Sequence, residues 1–70
     1  MIRKGTRVEW NWRGATAYGK VVETFKEPVV RTIKGSKITR KGTPENKAVL
    51  IEQKDGDLVL KLESEIRKFK

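Results

Sequence analysis

The chain has 70 residues, no cysteine and no histidine, and its 17 Lys and Arg against nine Asp and Glu give a net charge of +8. This length predicts one domain over residues 1–70 with one small core, because so short a chain buries only roughly 60% of the surface it exposes when unfolded. The composition excludes disulfides, thiolate metal sites and the commonest general base, no apolar run approaches the ~20 residues of a membrane span, and Met1-Ile2-Arg3-Lys4 opens no apolar leader.

These features predict a cytoplasmic protein, taken as a monomer, with no cofactor and no membrane partner. The charge is the compositional outlier. A surface this basic attracts polyanions and raises their encounter rate, and it also serves plain solubility.

Residues 3–6, RKGT, form a turn entry. Val8, Trp10 and Trp12 then alternate with Arg7, Glu9 and Asn11, the period of a half-buried strand. Trp10 is the expected core residue and Trp12 the expected rim residue, with the first turn at Gly14. A long second strand runs from about Ala15 to Phe25. Gly19 near its middle predicts a bulge, a bend or a close backbone approach. The adjacent Val21-Val22 pair fits a strand that changes its buried face. Pro28 ends the run.

Residues 29–41 predict a hairpin turning at Gly35-Ser36, with Ile33 opposite Ile38, Arg31 opposite Arg40 and Lys34 opposite Lys37. Opposed like charges cost a little. Arg31, Lys34, Lys37, Arg40 and Lys41 face no acid within the stretch 31–43. They form a candidate anion-binding patch, or guard an edge strand against aggregation. Gly42 to Asn46 is a loop.

Residues 48–62 predict the central hairpin, with Asp55-Gly56 as a two-residue turn. Ile51 then faces Leu60 and Val49 faces Leu62, so Val49, Ile51, Leu58, Leu60 and Leu62 share one face. Leu50 and Val59 point the other way, and a Lys54–Asp57 pair closes the tip. Residues 63–67 read as one helical turn, α or 3₁₀, capped by Ser64. Leu62, Ile66 and Phe69 are spaced to fold back on the barrel, and Arg67, Lys68 and Lys70 add positive charge. The sum is an all-β protein: a small SH3-like barrel of about five strands with a short C-terminal helical turn.

Several stretches resemble a known family. Lys4-Gly5-Thr6-Arg7-Val8-Glu9-Trp10 is similar to the opening of the TUDOR domain of hypervirulence-associated proteins. Tyr18-Gly19-Lys20-Val21-Val22 resembles its second strand. Gly42 to Asn46 with Ala48 to Glu52 resembles its loop and following strand. Asp55-Gly56, Leu60-Lys61 and Ser64-Glu65-Ile66 resemble its closing hairpin and turn. Together these span about Arg3 to Arg67. The resemblance implies a bacterial-type, stand-alone SH3-like barrel with no catalytic residues to carry over, and a fold of this kind does not fix a function.

No spacing in the chain marks a nucleophile with its base, a phosphate-cradling loop or a metal cluster, so the expectation is non-enzymatic. The first functional reading is nucleic-acid binding without strong sequence specificity. Arg31, Lys34, Lys37, Arg40 and Lys41 would contact phosphates, and Trp12 and Tyr18 would stack bases. Both rings serve equally as core or rim packing. The alternative is a protein- or peptide-binding Tudor-like module. Its least favoured form is a methylated-residue reader caged by Trp12, Tyr18 and Phe25, with Glu23 or Glu9 as the acid. A strongly basic domain is a poor host for a basic tail.

Overall fold

The computed structural model describes residues 2–69; Met1 and Lys70, and with Lys70 the last of the expected C-terminal positive charges, lie outside them. The alternation of Val8 and Trp10 builds β1 (Arg7–Trp12), and a tight turn at Arg13-Gly14 returns the chain into β2 (Ala15–Phe25). After Lys26-Glu27 come β3 (Pro28–Ile33) and β4 (Ser36–Lys41). A loop leads to β5 (Ala48–Gln53) and β6 (Leu58–Leu62), then a 3₁₀ turn at Glu63–Glu65 and β7 (Arg67–Lys68). One five-stranded sheet has the order β6-β5-β2-β1-β7, and β3-β4 forms a separate two-stranded sheet. The all-β, barrel-like architecture is the one the sequence predicts. The hairpin 28–41 is an insertion between two neighbouring strands of that frame.

β2 carries the bend the frame needs. The register between β2 and β5 slips between Val21 and Glu23, leaving Val22 as the extra residue. Before the slip Val21 lies opposite Ile51, and both are in the first core. After it Phe25 lies opposite Ala48, and both belong to the second. Gly19 is a close approach. A β-carbon there would strike the Ile51 side chain and lie 2.9 Å from the Glu52 carbonyl oxygen.

The central hairpin turns differently from the sequence reading. Its loop has three residues, Lys54-Asp55-Gly56, closed by hydrogen bonds from Gln53 N–H to Asp57 O (2.7 Å) and from Gly56 N–H to Gln53 O (2.8 Å). Only Gly56 takes positive φ, and the Asp55 carboxylate accepts the Asp57 N–H at 3.0 Å. This is the three-residue turn with a left-handed glycine, whereas a two-residue type I′ turn needs positive φ at both central residues. One extra loop residue moves every pair by one. Ile51 faces Val59, and Leu50 faces Leu60. Because side chains alternate, Leu58, Leu60 and Leu62 move to the opposite face from Val49 and Ile51.

Both faces of β5–β6 are therefore covered. The first core holds Val8, Trp10, Val21, Val49, Ile51 and Ile66, with Val59 at its margin. The second holds Val29, Ala48 and Leu60 against Phe25, Ile33, Ile38, Leu50 and Leu62. The inserted hairpin forms the far wall of the second core.

That hairpin turns at Lys34-Gly35, both with positive φ, instead of at Gly35-Ser36. Arg31 faces Ile38 and Thr32 faces Lys37. The change moves pairing by two residues, so Ile33 and Ile38 still share the inner face, and the Lys34–Lys37 opposition disappears. The tip pair also changes partner: Asp57 binds Lys34 of the inserted hairpin at 2.6 Å instead of Lys54.

Ser64 does not cap the C-terminal turn. Glu65 reaches back to accept the Leu62 N–H (2.8 Å). Ser64 is held by Asn46, whose Oδ1 accepts its N–H (3.0 Å) and whose Nδ2 donates to its Oγ (3.1 Å). Ile66 is buried, but Phe69 stays 38% exposed and lies outside the core.

Candidate functional site

The five cations of residues 31–41 do not make one patch. Pairing in β3–β4 puts Arg31 and Arg40 on the inner face with Val29, Ile33 and Ile38, and Lys37 and Lys41 on the outer face with Thr32 and Thr39. Arg31 lies over the Phe25 ring at 5.0 Å. Arg40 donates to the Thr39 carbonyl (2.9 Å) and approaches the Glu65 carboxylate at 3.7 Å. Lys34 is taken up by Asp57, whose hydrogen bond and negative charge raise the lysine pKa above its ordinary 10.5. Among the described residues only Lys37 and Lys41 of the five have neither an ion pair nor a ring beneath them.

Trp12 and Tyr18 are also separated. Trp12 shares the face of Trp10 and ends β1 55% exposed. Arg13 stands 5.1 Å and Lys61 5.9 Å from its ring centre. Tyr18 lies opposite Glu9 on the other face of the same strand pair. Phe25 sits beyond the β2 bulge in the second core, and Glu23 is exposed beside Leu50. The residues proposed for a methyl-ammonium cage thus stand on three different surfaces, and two of the rings already carry the protein's own cations.

A different aromatic pair forms instead. The chain returns past the 3₁₀ turn to pair β7 with β1, fixed by Arg67, whose Nε (3.1 Å) and Nη2 (2.8 Å) both donate to Glu9 Oε2. Phe69 N–H then donates to the Arg7 carbonyl (2.7 Å). This sets the Phe69 ring against Tyr18, with centroids 4.9 Å apart and planes tilted by 55°. Two shallow recesses of about 720 Å³ each meet at Arg7 and Phe69. One is edged by Lys20 and Lys54, the other by Arg3, Lys4 and Lys68. Glu52, opposite Lys20, is the single carboxylate lining either recess. All six cations around this pair are exposed, and none has an ion pair among the described residues.

Sequence reasoning found Tyr18 and missed its surroundings. The Arg13-Gly14 turn alone places Arg7 beside Lys20 and Glu9 beside Tyr18, so part of this surface was readable from one tight turn. Phe69 was not, since it arrives only through the return of β7 to β1, 58 residues along the chain for the Arg67–Glu9 contact.

A third feature is a groove of about 570 Å³ between Trp12, the edge of β6 and the inserted hairpin. No helix among the described residues is long and apolar enough to cross a membrane.

No curated protein and no solved structure matches the chain. A family match does cover it: residues 5–66 fit the family described as "Hypervirulence associated proteins TUDOR domain". Tudor-like domains are in general small, non-enzymatic binding modules. The five-stranded frame, the 3₁₀ turn before the last strand and a match over nearly the whole length agree, and the chain belongs to the hypervirulence-associated-protein TUDOR domain family.

Proposed function

We propose that this chain is a cytoplasmic, non-enzymatic nucleic-acid-binding module without strong sequence specificity. The observation that carries the reading is the Tyr18–Phe69 pair, rimmed by Arg3, Lys4, Arg7, Lys20, Lys54 and Lys68, with Glu52 the one carboxylate lining the recesses and Glu9, opposite Tyr18, engaged by Arg67. Exposed rings stack on any base, and flanking cations track the backbone, which is how single strands are held without reading sequence. Lys37 and Lys41 on the outer face of the inserted hairpin supply a second, weaker electrostatic contact. Arg31, Lys34 and Arg40, drawn into contacts within the protein, have a smaller part than their number suggests, and so does Trp12.

The test is a backbone amide NMR titration with a short single-stranded oligonucleotide at low and at moderate salt. Shifts should centre on Tyr18, Phe69, Arg7 and Lys20 and fade with salt, with a log–log slope of about −0.7 for each phosphate neutralised. Tyr18→Ala should lose about 1–3 kcal/mol of binding. Absence of any shift at low salt would end the reading. Shifts confined to residues 31–41, with Tyr18→Ala binding as tightly as wild type, would move the site to the inserted hairpin.

A further inference from the structure

The groove beside Trp12 meets the Tyr18–Phe69 surface only at Gln53 and has different chemistry. It follows the outer edge of β6, with Trp12 and Val59 on one side and Ile33, Ile38 and Leu58 on the other. Trp12 is 55% exposed and Leu58 is 40% exposed, and both open onto it. Large apolar side chains left in water around a concave space mark a contact surface more than a solvated one.

The rim is positively charged. Arg13, Lys34, Arg40 and Lys61 stand around it against Asp57 and Glu65. Lys34 and Arg40 are occupied by those two acids. Arg13 and Lys61 have no carboxylate partner among the described residues and flank the Trp12 ring. A ligand that reaches Trp12 meets an apolar wall with two cations beside it.

The backbone adds direction. The hydrogen bonds Gln53 N–H to Asp57 O and Glu63 N–H to Lys47 O fix the alternation along the β5–β6 ladder. Val59 and Lys61 turn their main-chain groups toward β5, and Leu58, Leu60 and Leu62 turn theirs away. The Leu62 N–H is taken by Glu65, and Leu60 is buried. Leu58 remains, exposed and facing the groove. β6 is the end strand of its sheet, and an exposed strand edge accepts an extended chain through main-chain hydrogen bonds.

We propose that this groove docks an acidic peptide segment in extended conformation. One large apolar side chain of the segment lies between Trp12 and Leu58, its carboxylates lie beside Arg13 and Lys61, and its main chain meets Leu58. Charge selects this occupant over the others. A second copy of the chain would bring its own +8 toward the rim. A methylated lysine would meet cations already placed at the ring. A nucleic acid would match the cations but gain nothing from Ile33, Ile38 and Leu58.

The experiment is an NMR titration of the intact chain with a short synthetic peptide of alternating glutamate and valine. Two control peptides replace valine by serine or glutamate by lysine, and a single-stranded oligonucleotide is the fourth probe. The glutamate–valine peptide should shift the Trp12 indole and the Leu58 and Ile38 amides. Its affinity should fall about tenfold or more in Trp12→Ala, and in Leu58→Ser, both changes at exposed positions that leave the spectrum otherwise folded. Tyr18→Ala should leave peptide binding intact while it weakens the oligonucleotide, which separates this proposal from the nucleic-acid reading. Four results would overturn it: no binding of the glutamate–valine peptide, equal binding of the serine or lysine control, peptide shifts that map to Tyr18 and Phe69, or oligonucleotide shifts in the groove itself.

Discussion

Lys34 shows how a single residue chooses between two turns. Gly35-Ser36 and Lys34-Gly35 both satisfy the local need for glycine, and both keep Ile33 and Ile38 on one face. The observed turn puts a lysine at φ 51, a conformation that costs a side-chain-bearing residue about 1 kcal/mol. In return the Lys34–Lys37 opposition is removed and Lys34 reaches Asp57. That second gain comes from another hairpin and leaves no trace in the local sequence, so the turn was legible only to within one residue. Asp57 raises the Lys34 pKa, so the tether is complete below the ordinary lysine value of 10.5 and is lost as pH climbs through the raised one. Asp57→Asn should lower the Lys34 titration midpoint toward its ordinary value, followed by NMR of the lysine side chain. Gly42 makes the opposite kind of residue-level claim. A β-carbon there would lie 2.6 Å from the Phe25 carbonyl oxygen, 2.8 Å from the Ala48 nitrogen and 2.9 Å from the Glu27 carbonyl oxygen. All three are backbone atoms with little room to yield. Gly42→Ala should cost about 1–3 kcal/mol, and thermal unfolding should show a drop of about 4–8 °C for each kcal/mol.

Among the elements, the inserted hairpin is joined to the rest by side chains and not by a shared ladder. Its inner face contributes Val29, Ile33 and Ile38 to the second core, while its backbone hydrogen bonds stay within β3–β4. An element held by side chains alone opens more readily than one in a shared ladder. Ile38→Ser should therefore speed amide exchange through residues 28–41 and leave β1 and β2 unchanged. Uniform acceleration over the whole chain would show that the hairpin unfolds only with the rest. The boundaries of β2 were legible because Gly14, the alternation and Pro28 are all local signals. The register of β5–β6 was not, since one residue of loop length decides it and Asp-Gly suits both loop lengths. That miss changed the meaning of Leu58, which left the expected core face for the rim of a groove.

For the molecule as a whole, composition announced the charge but not its distribution. Five cations in eleven residues pointed to the inserted hairpin, yet folding divides them between two faces and two acids. Cations scattered along the sequence, from Arg3 to Lys68, converge on Tyr18 and Phe69 instead. Clustering along the chain is a poor guide to clustering in space when strands alternate their faces. Charge reversal separates the two surfaces. Arg7→Glu with Lys20→Glu should weaken oligonucleotide binding more than Lys37→Glu with Lys41→Glu, and should make the salt slope shallower by about 0.7 for each phosphate no longer neutralised. An equal weakening by both pairs, measured by fluorescence anisotropy at matched salt, would show net charge alone at work.

The β5–β6 hairpin is apolar on both sides, one wall for two cores. Such a ribbon is the segment most prone to stick to its neighbours when bare. Chain order answers that hazard during synthesis. The ribosome releases β1 and β2 first and the inserted hairpin next, so the surfaces that sheathe both sides of the ribbon precede it out of the exit tunnel. The partners that will cover the newborn ribbon are thus outside before it appears.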